Sequence, residues 1–206
     1  MIDLYTARTP NGQKIPIMLE ETGLEYTVHM VSLAGDQFKP EFLSKNPNNK
    51  IPVIVDQDGP GGEPLTLFES GAILIYLAEK SGRFMPLDPA GRALTIQWVM
   101  FQMANLGPML GQYGHFAQSA KEKIPYAIER YSKEVDRLLG VTDKRLGESA
   151  FLAGDYSIAD ITTYPWLWGY ANYYKQDVTP WPNIVRWLDV VGARPAVQRG
   201  MSFEQG

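Results

Sequence analysis

Residues around Glu69 and Ser70 have the types and spacing of an anion-binding turn. They follow a short β-rich run, Leu65–Leu67, and precede apolar residues that recur with a helical period. The start of a helix offers backbone N–H groups and a positive dipole end, and a serine hydroxyl adds a donor. Serine is also a common N-cap residue, so capping alone explains the same pattern.

A second polar segment, Asn46–Lys50, stands directly before Ile51, Pro52 and an apolar run. Backbone at a strand edge beside a proline can pair with an extended, peptide-like ligand, because its N–H and C=O groups need not both serve the sheet. The alternative is a polar loop with a turn-forming proline.

The third segment is the turn Thr6–Gly12, which connects the first predicted strand to the first predicted helix. Thr9 and Asn11 would supply a hydroxyl and an amide near the helix N-terminus, where a thiolate is stabilised. An ordinary turn explains these residues equally well.

The composition restricts the chemistry that the chain can perform. It contains no cysteine and only two histidines, His29 and His115, which lack the spacing of metal ligands. The protein itself therefore supplies no disulfide, thiolate nucleophile or thiolate metal site. We expect no metal cofactor.

Charge and hydropathy exclude several further classes. The net charge of −4 argues against nucleic-acid or membrane-surface partners. No apolar run approaches the length of a membrane-spanning helix, and the N-terminus lacks the basic start of a signal peptide. We therefore expect a cytoplasmic protein.

The elements that must position these segments form an α/β region followed by helices. Strands are predicted at Ile2–Tyr5, Tyr26–Val31, Ile51–Asp56 and Leu65–Leu67, with a helix up to Gly23 and another over 69–82. Pro16 would be tolerated in the first turn of its helix. We predict a first domain over 1–82, a linker over 83–89 and an all-helical domain over 90–206, with a kink at Gly107-Pro108.

Three motifs of this sequence resemble motifs of the cytosolic glutathione transferases. Glu69–Ile73 is similar to the glutamyl-binding motif of that family, and Asn49–Val53 to its thioredoxin-fold strand with a cis-proline. Ser157–Asp160 is similar to the capping box of its helical domain. The resemblance covers nearly the whole chain. It implies a thioredoxin-like domain followed by a helical bundle, and a homodimer.

The chain further resembles the nu-class, the bacterial disulfide-bond oxidoreductase subgroup related to the Ure2-like proteins. Thr9–Gly12, Pro47–Pro52, Gly107–Gln112 and Ile124–Tyr131 carry this likeness. It implies that Thr9 and Asn11 perform the catalytic role that a tyrosine, serine or cysteine has elsewhere in the family. Tyr5 belongs to the first strand and is not expected to act.

The resemblance also implies how glutathione, the expected co-substrate, is bound in one or two copies. Ser70 would hold the glutamyl carboxylate, with Glu69 near the glutamyl ammonium. Ile51 would pair through its backbone with the cysteinyl part, beside a cis Pro52.

Two further parts of the site follow from the same resemblance. Lys50 and Gln37 would contact the glycyl carboxylate. Arg130 would approach the site of the neighbouring subunit.

A chain without cysteine can perform disulfide exchange only with sulfurs from glutathione and the substrate. The favoured function is therefore a glutathione-dependent disulfide-bond reductase. The same thiolate could instead attack a hydrophobic electrophile, an ether or a peroxide, as in a conjugating transferase. A non-catalytic glutathione-binding regulatory module is the alternative from another class.

Overall fold

A computed structural model describes residues 1–204 of the chain. These residues form two compact units. The first consists of Met1–Met85 together with the segment from Ala193 onward, and the second is Pro86–Gly192.

The first unit is built on a four-stranded mixed sheet with the order β2-β1-β3-β4. The strands are β1 (Ile2–Thr6), β2 (Tyr26–Met30), β3 (Val53–Asp56) and β4 (Leu65–Phe68). β1 is parallel to β2 and antiparallel to β3, and β3 is antiparallel to β4. The predicted thioredoxin-like fold is confirmed.

The helices of the first unit are α1 (Pro10–Thr22), the short α2 (Pro40–Leu43), α3 (Ser70–Ser81) and, later in the chain, α9 (Pro195–Met201). Thr9 caps α1 and Pro10 occupies its first turn, where a missing N–H removes no helical bond. Gly23 ends α1 in the left-handed conformation at φ 72°.

Pro16 lies inside α1 rather than in its first turn. A proline there cannot donate to the carbonyl four residues earlier, which belongs to Gly12. The buried Thr6 hydroxyl donates to that carbonyl at 3.0 Å instead. The Thr6 side chain, which comes from β1, thus replaces the backbone donor that the Gly12 carbonyl lacks because residue 16 is a proline.

α9 packs closely on α1, although it is the last helix of the described chain. A side chain at Gly200 would overlap the backbone of Ile17, so only glycine permits this approach. Two ion pairs join the same helix and the segment before it to α1, Arg194 to Glu21 and Arg199 to Glu20. The segment from Ala193 onward therefore belongs with the first unit.

The second unit is helical, in agreement with the predicted bundle. Its helices are α4 (Pro89–Phe101), α5 (Gly107–Gly114), α6 (Pro125–Glu148), α7 (Ile158–Asn172) and α8 (Pro182–Gly192). A π-helical turn, Gln102–Leu106, precedes Gly107-Pro108, where the sequence predicts a kink. The wider turn accommodates the proline ring and its missing N–H.

Asp160 connects the start of α7 to the rest of the second unit. Its buried carboxylate accepts hydrogen bonds from the backbone N–H groups of Leu152 and Ser157 and from the indole of Trp187. Ser157 and Asp160 form a reciprocal capping box. Burial raises the pKa of Asp160 to about 6, opposed by these donors. The structure confirms the capping role that the sequence predicts for Ser157 and Asp160.

The boundaries of the units differ from the predicted domains at the C-terminal end. The predicted helical domain over 90–206 includes α9, which packs with the first unit because of the contact between Gly200 and Ile17. The predicted linker over 83–89 ends where α4 begins. Residues 205 and 206 lie outside the described residues.

The close approach of α9 to α1 predicts that stability is sensitive to a side chain added at Gly200. Gly200→Ala should lower the free energy of unfolding by about 1 to 3 kcal/mol, because the added methyl group overpacks the contact with Ile17. Gly140→Ala is the matched control. It lies within α6 with open space around it, and alanine there should be neutral or stabilising by up to about 1 kcal/mol. Calorimetric unfolding of both variants checks this, and equal shifts would contradict it.

Candidate glutathione site

The strand directions bring four loops to one end of the sheet. β1, β2 and β4 end there and β3 begins there, because β3 is antiparallel to β1 and β4. Tyr5 and Phe68 are both opposite Val53, the first residue of β3. The segments that follow β1 and β4 and the one that precedes β3 must therefore lie side by side.

Residues from three of these loops line a pocket of about 270 Å³. The lining residues are Thr9, Asn11, Leu33, Gln37, Asn49, Lys50 and Ile51. The structure thus brings together five of the predicted site residues. Asn49 and Leu33 are additional members that the sequence prediction did not assign to the site.

Thr9 and Asn11 lie where the pocket meets the N-terminus of α1. The Thr9 hydroxyl accepts a hydrogen bond of 3.2 Å from the N–H of Gly12. Its lone pair is used by the cap, so its own hydrogen can be donated to a ligand. A side chain at Gly12 would overlap the Ala7 carbonyl, so glycine is required for this tight turn.

The loop before β3 is held by the buried side chain of Asn46. Its amide accepts from the N–H of Asn48 at 2.9 Å and donates to the carbonyl of Lys50 at 2.6 Å. The following Ile51–Pro52 peptide bond is cis, as the resemblance implied. β3 begins at Val53, two residues later than predicted for this strand, so Ile51 lies outside the pairing of the sheet.

Gln37 lines the pocket from the loop after β2, and its amide is engaged within that loop. Nε2 donates to the carbonyl of Leu33 at 2.9 Å, and Oε1 accepts from the N–H of Gly35 at 3.1 Å. The amide nitrogen carries a second hydrogen that can serve a ligand. Lys50 is exposed at the other side of the pocket.

Glu69 and Ser70 form the junction between β4 and α3. Glu69 is the N-cap residue, in the rare backbone conformation with φ 70°, and Ser70 is the first helical residue. The capping interpretation of Ser70 is therefore wrong, because the residue stands one position too late. Its hydroxyl is buried and accepts from the ammonium of Lys14 at 3.2 Å.

Tyr5 and Arg130 are not among the residues that line this pocket. Tyr5 stacks on His29, with 4.6 Å between the ring centroids, and lines a different cavity with Lys45. Burial and, to a lesser degree, the Asp3 carboxylate raise the pKa of Tyr5, so the phenol stays protonated. Arg130 belongs to the second unit, where it lines a groove of about 830 Å³ beside α6.

Comparison with known proteins identifies the family. Residues 1–79 match the model of the glutathione S-transferase N-terminal domain, and residues 125–189 match that of the C-terminal domain. The chain is 50% identical to the disulfide-bond oxidoreductase YfcG of Escherichia coli, over 98% of this chain and 94% of that protein. This chain belongs to the glutathione S-transferase family. The predicted family and enzyme class are confirmed.

Solved structures of other glutathione transferases are similar in fold. A Burkholderia graminis enzyme has a TM-score of 0.95 and 51% identity over 98% of this chain and 87% of that one, with two glutathione molecules bound per subunit. A Pseudomonas putida enzyme has a TM-score of 0.95 and 48% identity over 98% of this chain and 91% of that one, with one glutathione disulfide per subunit.

Other parts of the site were missed by the sequence prediction, although each had a detectable signal. Asn49 has φ 49°, and asparagine is one of the residues that tolerate this left-handed conformation. Lys14 is a charged residue directly before Ile15 in an otherwise apolar helical stretch. In the part of the chain that the structure describes, no group of three or more acidic or histidine side chains could hold a metal, and no helix has the length and apolarity to cross a membrane.

Proposed function

We propose that this glutathione S-transferase family member is a glutathione-dependent disulfide-bond reductase. The observation that carries the proposal is a pocket with a threonine hydroxyl at a helix N-terminus in a chain that has no cysteine. Such a pocket favours a thiolate that the protein does not itself supply. The sulfur must come from the bound substrate.

The described residues suit the three parts of glutathione. The turn at Glu69 and Ser70 would bind the glutamyl group, since a carboxylate is favoured at the start of α3. The backbone of Ile51, outside the sheet, would pair with the cysteinyl part. Lys50 and Gln37 would contact the glycyl carboxylate.

The reaction then needs two glutathione molecules for each disulfide reduced. The thiolate of the first attacks one sulfur of the substrate disulfide, which forms a mixed disulfide and releases one substrate thiol. The thiolate of the second attacks the glutathione sulfur of the mixed disulfide and releases the other substrate thiol. Two thiols become glutathione disulfide, and their two protons go to the two product thiols.

The proteins compared above support this proposal. YfcG and a second relative from Escherichia coli, YghU, are both named disulfide-bond oxidoreductases, and YghU is 44% identical over 97% of this chain and 73% of that protein. Related structures contain either two glutathione molecules or one glutathione disulfide per subunit. These are the thiol and disulfide forms of the proposed co-substrate.

Binding of glutathione can be tested at the turn that begins α3. Ser70→Ala should weaken binding by about 1 to 3 kcal/mol, because it removes a hydrogen bond to a charged carboxylate. Isothermal titration calorimetry with reduced glutathione measures this. Unchanged affinity in the variant would remove Ser70 from the site.

Catalysis can be tested at the start of α1. Thr9→Ala and Asn11→Ala should each lower the rate of disulfide reduction by about ten- to a hundredfold, the effect of losing one hydrogen bond to a thiolate. Tyr5→Phe is the control, since Tyr5 lines a different cavity, and it should keep nearly full activity. The assay uses a small disulfide at saturating glutathione.

The outcomes of this assay separate the alternatives. If Tyr5→Phe loses activity while the other two variants keep it, a tyrosine-type conjugating transferase replaces the proposal. A protein that binds glutathione but turns over neither a disulfide nor an electrophile would be a binding module.

We also propose a homodimer in which Arg130 approaches the glutathione of the neighbouring subunit. Arg130 is exposed on α6 and lines the groove with Tyr126 and Tyr131. Light scattering at micromolar concentration should give twice the 23.1 kDa chain mass. A stable mass of one chain would contradict the dimer.

A further inference from the structure

Lys14 is a fully buried lysine whose ammonium lies 3.2 Å from the hydroxyl of Ser70. Lysine is almost never fully buried in a folded protein unless its charge has a partner. Its neighbours in α1, Ile15, Ile17 and Met18, are apolar and equally buried, so methionine or leucine would suit the packing better. A lysine at this position, in place of an apolar residue, puts an amine donor directly against Ser70.

The donor direction of this contact determines how Ser70 can bind a ligand. Lys14 Nζ donates to the Ser70 oxygen, which is therefore the acceptor in this contact. The hydroxyl hydrogen is then directed away from Nζ, and a ligand carboxylate bound at this turn can compete for it. A carboxylate is the strongest acceptor among common ligand groups.

The same ammonium also adds charge where an anion would bind. The N-terminus of α3 already carries the partial positive charge of the helix dipole, and Lys14 in its ammonium form adds a unit charge beside it that salt screens little. Burial lowers the pKa of Lys14 well below its usual range, and the Glu69 carboxylate opposes this. A ligand carboxylate on the same turn would favour the ammonium form in the same way.

We propose that Lys14 is a positioning residue of the glutathione site, which orients the Ser70 hydroxyl toward the α-carboxylate of the γ-glutamyl group and strengthens its binding. This inference rests on the proposed glutathione function. Lys14 acts through Ser70 on the glutamyl end of the ligand, so it sets affinity rather than the rate of the chemical step.

Lys14→Met tests the proposal because it keeps the length and apolar stem of the side chain. Affinity for reduced glutathione should fall by about ten- to a hundredfold, with a matching rise in KM and an unchanged kcat at saturating glutathione. The melting temperature should not fall, since replacing a buried charge by an apolar residue is often neutral or stabilising. Lys121→Met, which removes an exposed charge of the second unit, is the control and should bind as the wild type does.

A modified ligand separates positioning from a general structural effect. Glutathione whose glutamyl α-carboxylate is converted to an amide should bind equally well to the wild type and to Lys14→Met. The double variant Lys14→Met/Ser70→Ala should lose less affinity than the sum of the two single losses, because orientation of the hydroxyl is already lost in Ser70→Ala and only the attraction of the ammonium remains to be removed. If Lys14→Met does not fold, Lys14→Gln is compared in the same way.

Three results would overturn the inference. They are wild-type affinity in Lys14→Met, an equal loss for the amide ligand, and additive losses in the double variant. These differ from a failure of the proposed function, in which the wild type itself would not bind glutathione.

Discussion

The register of β3 against β1 and β4 is the constraint on which the candidate site depends. Because Val53 is opposite both Tyr5 and Phe68, the turn after β1 and the turn after β4 must both lie beside the cis Ile51–Pro52 bond. Val53 and Ile54 point to opposite faces of the sheet and are both buried, so a shift of one residue would exchange the side chains packed on both faces. Packing of the core thus positions the loops.

Around that register, buried polar side chains hold the loops in one conformation. Thr6 donates to the Gly12 carbonyl, to which Pro16 cannot donate. Asn46 forms hydrogen bonds with Asn48 and Lys50 within the loop before β3. A buried polar group without a partner costs about 1 to 3 kcal/mol, so each of these bonds disfavours other loop conformations. The loops can then present fixed donors to a ligand without losing much entropy on binding.

Much of this arrangement could be predicted from the sequence, because periodicity and turn residues are local signals. The four strands, α1 and α3 follow from them, and the motif resemblance identified the segments around Thr9, Ile51 and Ser70. Contacts between distant residues could not be predicted in this way. Neither the packing of Gly200 on Ile17 nor the bond from Lys14 to Ser70 leaves a periodic signal. The sequence also does not define the first residue of a helix to within one position. It therefore leaves Ser70 open to interpretation as the N-cap of α3.

The absence of cysteine changes what a thioredoxin-like sheet has to accomplish. Where the protein supplies the thiol, its local environment must tune a covalently fixed sulfur. In the proposed disulfide reduction both reacting sulfurs must arrive with substrates, so the protein would contribute by aligning them and by stabilising a thiolate. Alignment requires that the remote parts of the ligand be held firmly, so the turn at Glu69 and Ser70 would contribute through binding and the hydroxyl of Thr9 through the reactivity of the thiolate. A buried lysine in contact with that turn would serve this requirement, because binding strength is needed most where no covalent bond fixes the sulfur.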